Sequence, residues 1–379
     1  MRKILCFAVM SMLLIFYPAS ILGQSSSFYL FVGTYTSGES EGIYVYEFNA
    51  ETGEANYISK VSGVENPSYI AISPDDNYVY AVNETGAENG GSVSAFSFDK
   101  AKGELKFLNK KSSRGGHPCY VSVDQTGRWA FAGNYSGGSL SMLPIAEDGS
   151  LQEAKAYFEH SGSSVNKNRQ ERPHVHCTYV APDNEHVLVA DLGTDQVKSY
   201  RFNASKGELA PLESGVYEAE PGSGPRHITF HPEGDFAYLI NELNGTIDAF
   251  TFEAGKLNKI QQVSTLPENY EGVVSGADIQ LSPDGKFLYA SNREDLNNIV
   301  IYSVNQENGQ LSYVGKQNSG GIHPRNFMID PTGQYLLVAN RNTDNVVVFK
   351  RDKESGMLTK TGNEFEISMP VCLKMMSVD

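Results

Sequence analysis

The chain has 379 residues, 40% hydrophobic and 11% aromatic, with 36 glycines and a formal net charge of −15. A body this acidic argues against nucleic acid or an anionic membrane surface as partner, although a local basic site for a small anion stays open. The four cysteines contain no CxxC pair, so a disulfide scaffold is not expected.

The chain opens with a targeting signal. Arg2 and Lys3 precede a mostly apolar run from Ile4 to Tyr17, and Ile21-Leu22-Gly23 leads to a cut before Gln24. The run is shorter than the roughly 20 residues that span a bilayer. No cysteine follows Gly23 to carry a lipid. Residues 1–23 are therefore expected to be a secretory leader and residues 24–379 one domain. Cleavage would remove Arg2, Lys3 and Cys6, leaving a charge of −17 and the cysteines Cys119, Cys177 and Cys372. An odd number permits at most one disulfide, and buried free thiols are the expected state.

The mature sequence then starts with Phe28–Thr34, an apolar strand, followed by Gly42–Phe48. After that one pattern recurs. A lead residue opens a short apolar strand, a Pro-Asp-Gly type turn follows, and a second apolar strand ends in Asn plus a polar residue, with Asp191-Leu192 standing there in one copy. The turns centre on positions 74, 125, 182, 232, 283 and 331, spaced by 51, 57, 50, 51 and 48. A period near 50 with two further strands per unit is that of a β-propeller. The six full copies are completed by the two ends. Pro370–Met376 reads as a first strand lacking a second, and Phe28–Thr34 as a second strand lacking a first. The expected fold is all-β: a seven-bladed propeller of four-stranded blades, its ring closed by N- and C-terminal strands sharing one blade.

This register locates a site. The first two strands of each blade are antiparallel neighbours, so the start of one and the end of the next lie at the same end of the blade. The lead residues are Ser68, Cys119, His176, Arg226, Ala277, Arg325 and Val371. The residues after the second strands are Tyr35, Glu84, Tyr135, Leu192, Glu242, Arg293 and Arg341. One mouth of the central channel thus gathers His176, four arginines and two glutamates. Arginine recognises carboxylate and phosphate in two-pronged fashion, so the set points to an anionic ligand. The longest spacing, between the second and third copies, holds the polar segment 161–174, which runs into this mouth and reads as a lid or binding loop carrying Arg169. His174 and His176 form a His-x-His pair, but no third metal ligand is evident, and acid–base use of one histidine is the better reading. No metal or cofactor is expected. His227 should alternate away from Arg226 and serve packing.

Gly33-Thr34-Tyr35-Thr36, Asn134-Tyr135-Ser136-Gly137-Gly138, Arg169-Gln170 leading to His174-Val175-His176, Gly224-Pro225-Arg226-His227, Asn241-Glu242-Leu243, Ser291-Asn292-Arg293 and Pro324-Arg325 occur in order. Together they resemble the lactonase family of seven-bladed propellers, which includes bacterial 6-phosphogluconolactonases and the fungal carboxy-muconate lactonizing enzyme. The resemblance covers nearly all of the mature chain. It implies a catalytic group of His176, Arg226, Glu242 and Arg293, with His174, Arg325, Arg341, Arg169 and Glu84 as substrate-binding candidates. Many relatives carry proline between the two histidines where this chain has Val175, so His174 and His176 compete for the role of base. The implied function is hydrolysis of an anionic sugar lactone, 6-phosphogluconolactone first, in glucose metabolism and the pentose phosphate pathway. Alternatives are an exported lactonase for another sugar-acid lactone, a muconate-type cycloisomerase, or a non-catalytic propeller that binds glycan or protein. The expected partner is a small anionic lactone, with a monomer favoured. The leader points to a periplasmic or secreted protein, the 6-phosphogluconolactonase resemblance to a cytoplasmic one.

Overall fold

The structure is a computed structural model that describes residues 26–86 and 90–378. The expected leader, 1–23, lies outside the described residues. Seven sheets are arranged as blades in a ring. Blades 1 to 6 follow chain order, with inner strands Ile70–Ile72, Pro118–Val123, Val175–Val180, Pro225–Phe230, Gly276–Leu281 and Pro324–Ile329. Each inner strand pairs with a second strand that ends in the expected Asn (Asn83, Asn134, Asn241, Asn292 or Asn340) or, in blade 3, in Asp191. Blade 7 is composite. Its inner strand Pro370–Ser377 pairs antiparallel with Ser27–Thr34, which continues to Gly42–Asn49 and Glu54–Ser62. Blade 3 departs from the repeat, because two short pieces, Glu208–Pro211 and Tyr217–Glu218, share the outer position beside Gln196–Asn203.

The sequence pattern explains the layering. Second strands such as Tyr78–Asn83 are almost wholly buried because neighbouring blades cover both faces. The outer strand Glu104–Ser112 alternates between exposed and half-buried positions instead. The third turn residue is left-handed in all six copies: Asp76, Gly127, Asn184, Gly234, Gly285 and Gly333, with φ from 52° to 87°. Only Gly, Asn and Asp adopt that conformation readily, so the Pro-Asp-Gly signature is a backbone requirement.

Two devices shape the mouth. The first is the row of buried amides at the second-strand ends. Asn134 Nδ2 donates to Ser113 O at 3.0 Å, Asn292 Nδ2 to Thr265 O at 3.2 Å, and Asn340 Nδ2 to Ser319 O at 3.1 Å. Each ties its strand to the loop arriving from the outer strand of the preceding blade. The second is a β-bulge in the inner strand. Val175 pairs with Asp191 and Cys177 with Ala190, leaving His176 as the extra residue. Cys119, Arg226, Arg325 and Val371 are the extra residues of their own blades in the same way. A bulge breaks the two-residue period and re-aims side chains.

Closure rests on one strand pair. Phe28 lies opposite Ser377 and Gly33 opposite Cys372, and Leu373 is fully buried. Replacing Leu373 by Ala should destabilise the protein by about 2–5 kcal/mol. Deleting residues 370–379 should remove the cooperative thermal transition and yield aggregates, read by circular dichroism melting and size-exclusion chromatography.

Candidate active site

Glu242 follows the second strand of blade 4, and its buried carboxylate is the centre of the mouth. Arg226 Nε donates to Oε2 at 2.8 Å, and Arg293 Nη2 reaches the same oxygen at 3.1 Å. Arg169 Nη2 donates to Oε1 at 2.6 Å and to the Tyr135 hydroxyl at 3.2 Å. Three guanidiniums on one carboxylate hold Glu242 well below the usual carboxylate range despite burial, with Arg293 and Arg226 the largest charge effects. Burial lowers Arg293 to about 10 against the pull of Glu242, with Arg226 pushing in the same direction as burial.

Carbonyls of blade 5 fix the arginines further. Arg226 Nη1 donates to Ala277 O, and Arg293 Nη2 donates to Gly276 O at 3.0 Å. His227 packs as alternation predicts, edge-on against Tyr69 and Tyr120, but it is also bonded at both ring nitrogens. With Arg226 as the bulged residue, its neighbour stays in reach, and His227 Nε2 lies 3.4 Å from Arg226 Nη1 while Nδ1 lies 2.8 Å from Asp278 Oδ1. The carboxylate fixes the proton on Nδ1, so Nε2 accepts from the arginine. Burial and the Arg226 charge push His227 down to about 4, keeping it neutral. His227 and Asp278 also line a chamber of about 210 Å³ with Tyr69, Tyr120, Tyr179 and Lys374.

The two candidate bases differ. His174 stacks on Tyr135, its Nδ1 is 3.1 Å from Tyr135 O, and its Nε2 is 3.3 Å from Glu171 Oε1. Both nitrogens are engaged. His176 meets Tyr135 edge-on and packs against the His227 ring at 5.2 Å. Its Nδ1 is 3.7 Å from Cys119 Sγ, and Nε2 has no hydrogen-bond partner among the described residues. Burial first, then Arg226 and His227, depress His176 well below the ordinary histidine value. It is a neutral imidazole at neutral pH.

Segment 161–174 is a folded loop. Ser164 N donates to Gln170 O, Asn166 N to Gln170 Oε1, and Gln170 Nε2 to Leu192 O. Asp195 Oδ2 accepts from Ser164 Oγ and Gly222 N, locking this loop to the one that precedes blade 4. Asp191 accepts from His174 N at 2.8 Å and holds His160 Nδ1 at 2.7 Å. Arg169 is thereby delivered across the mouth to Glu242.

Arg325, Arg341 and Glu84 gather around Tyr35 instead. The Tyr35 hydroxyl donates to Glu84 Oε2 at 3.0 Å, and Ser68 Oγ donates to the same oxygen. The two guanidiniums lie over the Tyr35 ring at 5.5 and 5.2 Å. His323, which sequence reasoning passed over, stands beside them with Nδ1 3.3 Å from Glu294 Oε1. Its signal was present: His117, His323 and Met369 each precede the proline that opens an inner strand, and all are left-handed. Among the described residues no group of three or more His, Cys, Asp or Glu is arranged to hold a metal ion. Cys119, Cys177 and Cys372 are buried free thiols.

A seven-bladed ring with a histidine and an arginine–glutamate clamp at one mouth defines a class. The chain matches the family described as Lactonase, 7-bladed beta-propeller, over residues 29–375, and it belongs to that family. It is 37% identical to the 6-phosphogluconolactonase of Bacillus subtilis, across 91% of this chain and 97% of that protein. It is 36% identical to the 6-phosphogluconolactonase of Formosa agariphila, across 91% and 99%. The solved structure of the periplasmic gluconolactonase of Pseudomonas aeruginosa superposes with a TM-score of 0.88 at 36% identity, covering 93% of this chain and all of that one.

Replacing Glu242 by Gln leaves Arg226 and Arg293 buried without a counter-charge and should cost about 3–5 kcal/mol, measured by urea unfolding. The sign follows from the depressed carboxyl. Its stabilisation is complete above the unfolded value near 4.5 and is lost as pH falls through the lower folded value. The E242Q protein should therefore lose less stability than wild type on acidification below pH ~4.5. In a separate test, Asp195→Ala should speed amide exchange across 164–170 while the blades keep their protection.

Proposed function

We propose that the protein hydrolyses the ester bond of a sugar-acid lactone, with 6-phosphogluconolactone as its substrate. The observation that carries this reading is the neutral His176, with Nε2 unengaged, beside the Arg226–Glu242–Arg293 clamp in a lactonase-family propeller. His176 Nε2 takes a proton from water as the water oxygen attacks the lactone carbonyl. Arg226 and Arg293, fixed before substrate arrives, face the negative charge that develops on the carbonyl oxygen. The tetrahedral intermediate collapses by breaking the bond to the ring oxygen, and the imidazolium returns its proton to that oxygen as it leaves. The product is the open acid, one water heavier. Glu242 holds the two arginines apart and oriented, and Arg169 closes the clamp from the loop. His174, with both nitrogens engaged, positions Tyr135 and the loop end. The names of the Bacillus and Formosa relatives support the phosphorylated lactone, and that substrate places the step in glucose metabolism and the pentose phosphate pathway.

A second reading has its own support. The leader-like residues 1–23 and the similarity to a periplasmic gluconolactonase favour an exported enzyme acting on an unphosphorylated lactone. N-terminal sequencing of the native protein tests export, with Gln24 the expected first residue.

His176→Ala and Arg226→Ala should each lower kcat by about 10²–10⁴-fold with an unchanged circular dichroism spectrum, followed by pH-stat titration of released acid. Wild-type activity in both variants would refute the assignment. Because His176 is held below the ordinary histidine value, kcat/KM should stay level as pH falls through 6.5 and decline only at lower pH.

A further inference from the structure

In blades 4, 5 and 6 the residues one past the lead positions are His227, Asp278 and Asn326, all buried. They are joined across blades. His227 Nδ1 donates to Asp278 Oδ1 at 2.8 Å, and Asn326 Nδ2 donates to Asp278 Oδ2 at 2.5 Å. Asn326 Oδ1 in turn accepts from Leu373 N at 2.7 Å, on the closing strand of blade 7. At the other end His227 Nε2 faces Arg226 Nη1 at 3.4 Å. One hydrogen-bonded chain thus runs from the strand that closes the ring to an arginine of the clamp, through four successive blades.

The two ends set every polarity in this chain. A backbone N–H can only donate, so Asn326 turns its oxygen to Leu373 and its nitrogen to Asp278. A guanidinium can also only donate, so His227 turns a bare Nε2 to Arg226 and carries its proton on Nδ1. The two runs meet at Asp278, which must accept on both oxygens, as an ionised carboxylate does. Burial alone would push the Asp278 carboxyl up, but the contact with His227, then Lys374 and Arg226, hold it below the ordinary value. Lys374 belongs to the closing strand too. The backbone of blade 5 places Asp278 for this: the register slips between Gly276 and Ile279, and Asp278 N donates to Ser291 Oγ at 2.9 Å.

We propose that Asp278 and Asn326, acting through His227, are positioning residues that hold the Arg226 guanidinium in the direction that meets the carbonyl oxygen of the substrate. The proposal rests on the lactonase reading above and extends its active site to two residues behind the clamp. Asparagine at 278 would break the chain at its centre. It offers one acceptor where two donors converge, so its own amide nitrogen must face either His227 or Asn326. Facing His227, it drives the imidazole proton to Nε2, against the N–H groups of Arg226. Facing Asn326, it turns that amide over and sets its nitrogen against Leu373 N. Either way a buried donor is left against a donor, and the direction of Arg226 is no longer fixed.

The test follows lactone hydrolysis by the full chain in Asp278→Asn, His227→Gln, the double variant H227Q/D278N and Asn326→Leu, with nitrogen NMR of the histidines. D278N should lower kcat by about 10- to 100-fold, the worth of one charge-assisted hydrogen bond, with KM little changed. The His227 proton, on Nδ1 in the wild type, should move in part to Nε2. Glutamine at 227 can offer its oxygen to Arg226 without help from Asp278, so D278N added to H227Q should lower kcat no further. Equal losses in the two backgrounds would mark Asp278 as merely structural and overturn the proposal, as would an unchanged kcat in D278N. Asn326→Leu, which leaves the carboxylate one donor short, should lower kcat several-fold, and wild-type kcat there overturns the part given to Asn326. If the wild type opens no lactone, the lactonase reading fails by itself. Hydrogen exchange at Arg226 Nε–H then decides: faster exchange in D278N sustains the positioning role, and unchanged exchange overturns it.

Discussion

One buried carboxylate governs the mouth of this propeller. Glu242 is the carboxylate that Arg169, Arg226 and Arg293 share in the hydrogen-bonded clamp, and each of the three comes from a different part of the ring: a loop, an inner-strand bulge and the end of a second strand. Like charges this close in a buried setting repel strongly. Without Glu242 the arginines would have to turn outward or take up a ligand permanently. With it they stay in fixed directions and still keep N–H groups for a substrate. A site of this kind is preorganised by its own electrostatics, which is what stabilisation of a developing oxyanion demands.

The clamp works because the backbone puts its members at one level. Every inner strand except Ile70–Ile72 carries an extra residue near its start, and the bulged residues include His176, Arg226 and Arg325. A regular strand would send every second side chain between blades. The bulge instead turns one residue per blade toward the channel and keeps its successor close, which is how His227 comes to brace Arg226. The buried Asn and Asp row below the bulges pins the loops around them. The same backbone device is repeated around the ring while its side chains vary, so chemistry is changed by substitution at a few positions with the scaffold left alone.

Much of this was legible in the sequence because repetition carries register. Six copies of one pattern showed which residues are equivalent, and equivalence placed His176, Arg226, Glu242, Arg293, Arg325 and Arg341 at one mouth. The split blade was readable from two half-patterns at the ends. Alternation was only half the story for His227: it packs on Tyr69 and Tyr120 as the period-two rule expects, and a bulge that the sequence does not announce also keeps it within reach of Arg226. Pairings across blades were also hidden: Arg169 on Glu242 and Tyr35 on Glu84 join residues 73 and 49 positions apart. His323 was missed because it stands two residues before the lead residue Arg325, outside the positions that the repeat compares.

Closure by the two ends has a consequence for how the molecule comes into being. The strand made among the first cannot complete its ladder until the strand made last is available, some 340 residues later in synthesis. Through that interval Ser27–Thr34 presents an open edge, the kind of surface that pairs with strangers. Joining contacts so far apart in the chain is slow. A propeller emerging from a ribosome or a secretion channel is thus in its most vulnerable form until the final strand docks, and a helper that shields that one edge would protect the whole ring.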